Sequence, residues 1–272
     1  MRPSISSTSR WESDTVTEAE AHISVRDVTM AYGSRLIQRD LNFDVNRGDI
    51  FVIMGGSGCG KSTLLKHMLG LIQPAAGDIL YAGESFTHAD QATRDRMRRS
   101  WGITYQSGGL FSSMTIGENV ALPMQLYTHY SGAEISEVVS YKLSLVGLGG
   151  YESYYPSEIS GGMQKRAALA RAIALDPDIL FFDEPSAGLD PISSSLLDEL
   201  IVQLKESIGA TVVMVTHELP SIFSIATNSV YLDAGTKTMI AYGNPRELRD
   251  HSEQPVVRQF LAREASAPAE TA

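Results

Sequence analysis

Two hydrophobic rhythms run along this chain. Over residues 22–28 apolar and polar side chains alternate, and they do so again over Leu41-Asn42-Phe43-Asp44-Val45. A period of two puts every second side chain on one face, so both segments read as half-buried antiparallel strands. Three later runs, 50–54, 179–182 and 212–215, are apolar without interruption. Each has the length of a strand covered on both faces, and helical patterns lie between them, as a parallel sheet requires. Over residues 112–175 the periodicity is mostly helical, with breaks expected at Pro123, Gly132 and residues 147–150. That segment reads as a helical subdomain inserted into an α/β core. A late hairpin over 230–242 turns at Ala234-Gly235-Thr236-Lys237. Asn244-Pro245 opens a short helix, and Pro255 opens another that carries Val256, Val257, Phe260 and Leu261 on one face.

Composition narrows the class. A chain of 272 residues makes one large domain, or a domain with a subdomain, and buries enough surface to need no disulfides. Its single cysteine, Cys59, excludes an internal disulfide and suits a reducing compartment. The net charge of −10 argues against a nucleic-acid partner held through phosphate contacts. No apolar run is long enough to span a bilayer. Residues 1–20 are rich in Ser and Thr and include Glu12, Asp14, Glu18 and Glu20. With no apolar core they do not form a secretory signal, and they read as a disordered leader. The main domain is expected over 21–250, and a C-terminal helix with a flexible tail over 251–272.

The first chemical motif is "FVIMGGSGCGKSTLLKHMLG", which reads as strand, Gly-rich loop and helix. Gly55, Gly60, Lys61 and Ser62 match G-x-x-x-x-G-K-[ST]. Glycines let the backbone of residues 55–63 (Gly55, Gly56, Ser57, Gly58, Cys59, Gly60, Lys61, Ser62 and Thr63) curl its N–H groups around phosphates. Lys61 then reaches the terminal phosphates, and Ser62 offers a hydroxyl to Mg²⁺. Cys59 is read as a small residue of this loop, with a redox switch as the lesser alternative.

A second anion-binding start appears in "EISGGMQKRAALARAIALDP", residues 158–177. Ser160 is a good N-cap, Gly161 and Gly162 admit a close ligand, and the helix is expected to stop at Asp176-Pro177. "DILFFDEP" ends an apolar strand in Asp183-Glu184, where a metal-binding carboxylate and a general base belong. "VVMVTHEL" brings His217 to the same edge of a parallel sheet, to hydrogen-bond the γ-phosphate. Gln106 closes a short strand-like run, Ile103-Thr104-Tyr105, where it can meet Mg²⁺ or water.

The order Tyr32, residues 55–63, Gln106, Ser160-Gly161-Gly162, Asp183-Glu184, Ala187-Gly188-Leu189-Asp190 and His217 resembles the ATP-binding-cassette (ABC) ATPases over residues 22–245. The resemblance implies an ABC-type P-loop ATPase core with an N-terminal antiparallel β subdomain and an inserted helical subdomain. It also answers why one chain carries two anion sites. In this family two subunits face head to tail, and Ser160-Gly161-Gly162-Met163 of one would grip the γ-phosphate held by Lys61 of the other, making a homodimer with ATP and Mg²⁺ between the subunits. Ser62, Gln106 and Asp183 would hold the metal; Glu184, His217 and Gln106 would serve catalysis. Tyr32 would stack on adenine, and Asp190 would sit at the dimer seam. Ile159 and Met163 depart from the usual Leu and Gln, so Met163 is not expected to hydrogen-bond nucleotide through its side chain.

"YQSGGLFSSMTIGENVALPM", "SGGMQKRAALARAIALDPDILFFDEPSAGLDPI" and "VVRQFL" are similar to one branch, the MlaF-like ATPase subunits of Mla/Mce-type phospholipid transporters. That implies a peripheral protein on the cytoplasmic face of the inner membrane, driving lipid movement through a separate permease. Leu110, Phe111 and Met114, in the loop after Gln106, would meet the permease, or else belong to the subdomain core. A STAS-domain protein and an MCE protein would be further partners, with the C-terminal helix either clasping the neighbouring ATPase or packing on its own domain. Importer ATPases for other cargo, such as amino acids, and soluble non-transport ABC ATPases are the alternatives. The span between Lys61 and Ser160 is too short for the coiled coil of a chromosome-type ATPase.

Overall fold

The structure, a computed structural model, describes residues 21–262. The expected leader at 1–20 and the end of the expected tail at 263–272 lie outside the described residues. The chain first forms β1 (Ala21–Tyr32), β2 (Arg35–Asn46), β3 (Ile50–Gly55) and α1 (Lys61–Met68). Next come β4 (Ala76–Tyr81), β5 (Glu84–Ser85), α2 (Gln91–Arg98) and β6 (Trp101–Thr104). The helices α3 (Ile116–Tyr127), α4 (Gly132–Leu145) and α5 (Gly161–Ala172) follow. Then come β7 (Ile179–Asp183), α6 (Pro191–Ile208), β8 (Thr211–Val215) and α7 (Leu219–Ile225). The described chain closes with β9 (Asn228–Asp233), β10 (Thr238–Gly243), α8 (Pro245–His251) and α9 (Pro255–Leu261).

The main sheet runs β10-β9-β3-β8-β7-β6. It is parallel from β9 to β6, and only β10 runs antiparallel, as the hairpin partner of β9. The uninterrupted apolar runs have a direct cause. In β3, Phe51 and Ile53 enter one core cluster while Ile50, Val52 and Met54 enter the other. In β7, Ile179 and Phe181 divide from Leu180 and Phe182 in the same way. A strand covered on both faces has no polar side to show. The alternating segments instead form an antiparallel sheet, β2-β1-β4-β5, whose inner face packs on the main sheet; Phe43 stacks on Phe51 with ring centroids 5.3 Å apart.

The three helices α3, α4 and α5 pack on one another and share a single apolar cluster with one face of the main sheet. The helix α5 also lies close against β6: a Cβ on Gly102 would stand 2.3 Å from the Ala172 carbonyl oxygen. Two expected breaks fall elsewhere. The helix α3 runs through Pro123, because Ile116, Val120 and Met124 are fully buried and their packing outweighs the lost backbone bond. The helix α5 stops at Ala172, short of Asp176-Pro177. The chain then tightens through Asp176 in a left-handed conformation (φ 47°), where the buried Lys142 of α4 donates to its carboxylate.

The C-terminal helix packs on its own chain. Val257 and Leu261 of α9 are buried, and the Phe260 ring meets Tyr231 edge-on at 5.3 Å. Val256, expected on the same face, is 41% exposed, because a seven-residue helix has room for only one narrow buried stripe. No helix among the described residues is long and apolar enough to cross a membrane.

Candidate functional site

Adjacent parallel strands bring β3, β8 and β7 side by side, so the segments that leave their C-terminal ends meet at one sheet edge. The loop between β3 and α1 curls there because two glycines allow it. Gly55 has φ 145°, and a Cβ on it would lie 2.3 Å from the Leu232 carbonyl oxygen. Gly60 has φ 104°, and a Cβ would lie 2.8 Å from Ile37 Cγ2. Side chains would therefore force the loop off its floor.

What the loop presents is an unsatisfied helix start. The helices α2, α3, α4 and α5 begin with Asp90, Thr115, Ser131 and Ser160, each accepting a backbone N–H through its side chain. The helix α1 begins at Gly60 with no side-chain cap. Its first N–H groups are left for a ligand, and the helix dipole favours an anion. Lys61 Nζ donates to the carbonyls of Gly55 and Gly56 at 3.0 and 3.1 Å, so the ammonium group is held at the loop, with no carboxylate partner among the described residues. The surrounding cleft, about 720 Å³, is lined by Tyr32, Gly55, Gly58, Lys61, Glu184 and His217 among others. Tyr32 stands at its rim, 49% exposed.

The oxygen donors for a metal are in place. Ser62 Oγ donates to Asp183 Oδ1 at 3.1 Å, bringing a hydroxyl and a carboxylate together beside the loop. Two hard oxygen ligands fit Mg²⁺, which takes its remaining positions from phosphate and water. One residue on, Glu184 adopts φ 51° and its N–H donates to the Val215 carbonyl at 2.9 Å. Its Oε1 accepts from His217 Nδ1 at 2.8 Å, while Oε2 is buried without a partner in the structure. A left-handed glutamate with an orphaned buried oxygen is an uncommon arrangement, of the kind that clusters at functional sites.

Other expected residues lie apart from this cleft. Gln106 is exposed two residues beyond the end of β6, which stops at Thr104. Its carbonyl accepts from Lys165 Nζ of α5, and Arg171 Nη1 and Nη2 donate to the carbonyls of Gly109 and Gly108 at 2.7 and 3.1 Å. Lys165 and Arg171 thus clamp the loop to α5. Asn119, fully buried, accepts from the Phe111 N–H and donates to the carbonyls of Phe111, Met114 and Thr115. Phe111 is left 52% exposed, while Leu110 packs partly on the core. Ser160, Gly162 and Met163 line a different hollow, with Leu189 and Arg166. Ser160 Oγ accepts from the Met163 N–H at 3.3 Å, and the Met163 side chain packs on the core. Asp190 caps α6; the Ser193 hydroxyl donates to its Oδ2, and the N–H groups of Ser193 and Ile192 donate to its Oδ1, which holds its carboxyl below the usual range. Cys59 is buried, and that burial raises its thiol pKa against the pull of Lys61, so it is a poor candidate for a redox switch.

Sequence reasoning missed several neighbours of the loop. Arg35, Ile37, Leu219 and Phe260 line the cleft, and Gln38 holds the loop from below. Of these, Arg35 had a signal: it stands directly opposite Tyr32 across the β1–β2 turn.

The ABC transporter family model matches residues 38–187. The chain is 41% identical over 246 residues to the intermembrane phospholipid transport system ATP-binding protein MlaF of Escherichia coli (strain K12), covering 90% of each chain. It is 41% identical over 239 residues to the probable ribonucleotide transport ATP-binding protein mkl of Mycobacterium leprae, covering 88% of this chain and 68% of that one. Among solved structures, the dimeric bacterial ABC transporter cassette MJ0796 superposes with a TM-score of 0.74 at 29% identity, covering 82% of this chain and 98% of that one. The same cassette is known in a post-hydrolysis state bound to ADP and Pi. A family model spanning more than half of the sequence, with relatives matched along most of it, places the protein: the chain belongs to the ABC transporter family and is one of its ATPase cassettes.

Proposed function

We propose that this cassette hydrolyses ATP to drive phospholipid movement between inner and outer membrane through a separate permease. The observation that carries the cargo is the match to MlaF, 41% identical and extending over 90% of both chains. The mkl relative, whose name specifies ribonucleotide, is matched over only 68% of its length, and so weighs less.

Each site residue takes a role from its surroundings. The α1 N-terminus, Lys61 and the backbone of 55–63 bind the triphosphate of ATP, and Tyr32 stacks on adenine. Ser62 and Asp183 would hold Mg²⁺, which when bound neutralises phosphate charge, and Gln106 is read as a further ligand. Glu184 positions and deprotonates the attacking water, with His217 fixing its carboxylate. Ser160, Gly161, Gly162 and Met163 complete the site of a second copy in trans, with Asp190 at the seam. Their distance from the cleft of their own chain supports that reading, as does the dimeric state of the MJ0796 cassette. Cassettes of this family dimerise and pair with permeases. The exposed Phe111, on a loop clamped by Asn119, Lys165 and Arg171, is the permease contact. The cassette would sit peripherally at the cytoplasmic face of the inner membrane, with a STAS-domain protein and a substrate-binding MCE protein as further partners of the assembly.

The test is purification of the tagged chain in mild detergent with its native partners. Phospholipid in the complex, and ATP-dependent lipid transfer after reconstitution in vesicles, is the expected result. A complex whose ATPase rate responds to ribonucleotides or amino acids, with no lipid transfer, would overturn the cargo.

A further inference from the structure

Gln38 is a fully buried amide in β2. Its Nε2 donates to the Cys59 carbonyl at 2.7 Å and to the Asp233 carbonyl at 2.9 Å. Both acceptors are backbone oxygens, so the orientation of the amide is determined; reversing it would set Oε1 against two carbonyls. Oε1 is left buried with no partner, a cost the protein accepts in order to keep the other end in place.

The two acceptors explain why. Cys59 belongs to the phosphate loop, and Asp233 ends β9 at the far side of β3. A trans peptide unit is planar, and its C=O and the next N–H point in opposite directions. Holding the Cys59 carbonyl down on β2 therefore turns the Gly60 N–H away from β2, toward the cleft that Gly60 lines. Gly60 rests on the same strand: a Cβ there would lie 2.8 Å from Ile37 Cγ2 and 3.6 Å from Gln38 Cγ. β2 is thus the floor of the loop's last turn, and Gln38 is its polar fastening. Through the β1–β2 pairing the same strand is continuous with Tyr32 at the rim.

We propose that Gln38 is a positioning residue for nucleotide binding, which fixes the peptide between Cys59 and Gly60 so that its N–H meets phosphate. The proposal rests on the reading of residues 55–63 as the ATP site. An apolar side chain of similar size would keep the packing but leave the Cys59 carbonyl without its donor and the peptide free to rotate. The loss would then fall on ligand affinity rather than on the chemical step.

The experiment compares the full chain with Gln38→Leu, Gln38→Glu and Lys61→Ala, measuring ATP affinity with a fluorescent ATP analogue, steady-state kinetics and melting temperature. For Gln38→Leu the expected result is ATP binding weaker by about ten-fold, the scale of one lost buried hydrogen bond, with KM raised and kcat nearly unchanged. For Gln38→Glu an ionised carboxylate cannot donate to the two carbonyls. Its affinity relative to wild type should be low at pH 8 and recover toward pH 5.5, where protonation restores one donor. Gln38→Leu with a lowered melting temperature but wild-type affinity and KM would reduce Gln38 to a packing residue and overturn the proposal. If Gln38→Leu does not fold, the pH series decides, and a Gln38→Glu affinity that tracks wild type at every pH overturns it equally. Lys61→Ala separates the two levels: if it binds ATP as wild type does, the nucleotide site itself is misread and the proposal falls with it.

Discussion

His217 Nδ1 lies 2.8 Å from Glu184 Oε1, joining the residues that follow two neighbouring parallel strands. A carboxylate only accepts, so Nδ1 carries the proton of this bond. The contact occupies one carboxylate oxygen, while Oε2 is buried and has no hydrogen-bond partner in the structure. The Glu184 side chain is 13% exposed and that of His217 is 64% exposed, so the histidine reaches the carboxylate from the solvent side.

Glu184→Gln should keep ATP affinity and slow hydrolysis by about 10²–10⁴-fold, the usual scale for a positioned general base. The amide still bonds His217 but does not take a proton from water. Single-turnover hydrolysis and size-exclusion chromatography with ATP check both halves: turnover falls, and an ATP-bound dimer accumulates. Near-normal turnover would remove Glu184 from the chemistry.

Ser160→Arg should abolish turnover while leaving ATP binding at Lys61 intact. Ser160 lines a hollow separate from the cleft, so in the proposed trans arrangement bulk and charge there would meet the nucleotide of a second copy. Mixing Ser160→Arg with Lys61→Ala subunits leaves one composite site whole in the heterodimer, and activity should partly return. Loss of ATP binding by the isolated Ser160→Arg monomer would show that the grip acts within one chain.

The strands were legible because burial on both faces writes itself as an unbroken apolar run, as in β3 and β7. Lys61, Asp183 and Glu184 were legible because their chemistry depends on adjacent positions in the sequence. Gln38 was not, since its partners Cys59 and Asp233 are brought to it only by the pairing of β2, β3 and β9. Phe260 was hidden for the same reason: its place in the cleft wall depends on how α9 docks on Tyr231. Pro123 misled because local propensity was outvoted by the packing of Val120 and Met124.

Asp198 of α6 is buried against α7, and its pKa is raised to about 6 by burial, with Glu218 adding to the rise and Ser221 opposing it. A carboxyl whose pKa is higher folded than unfolded binds its proton more tightly in the native state. Stability therefore rises as pH falls through 6 and levels off below the unfolded carboxyl pKa, near 3.9. Asp198→Asn removes this dependence. It should melt higher than wild type at pH 7.5, with the gap shrinking by pH 5, in a melting series across that range. A constant gap at every pH would mean that Asp198 does not titrate there.

The C-terminal helix is held by its own domain through Val257 and Leu261, both buried, which favours packing over clasping. Leu261→Ala should cost the monomer about 2–5 kcal/mol, the range for truncating a buried leucine. Deletion of residues 255–272 should lower the melting temperature further, since it also strips Phe260 from Tyr231. Because Phe260 lines the same cleft as Lys61, the proposed nucleotide site, the Phe260→Ala variant should lose ATP affinity as well as stability. Val256 is the control: it faces solvent, so Val256→Asp should leave the monomer's melting temperature unchanged. Denaturant titrations of the four variants, with dimerisation followed separately, test the assignment. A deletion that leaves the monomer's stability intact but weakens association would return the helix to the role of a clasp between subunits.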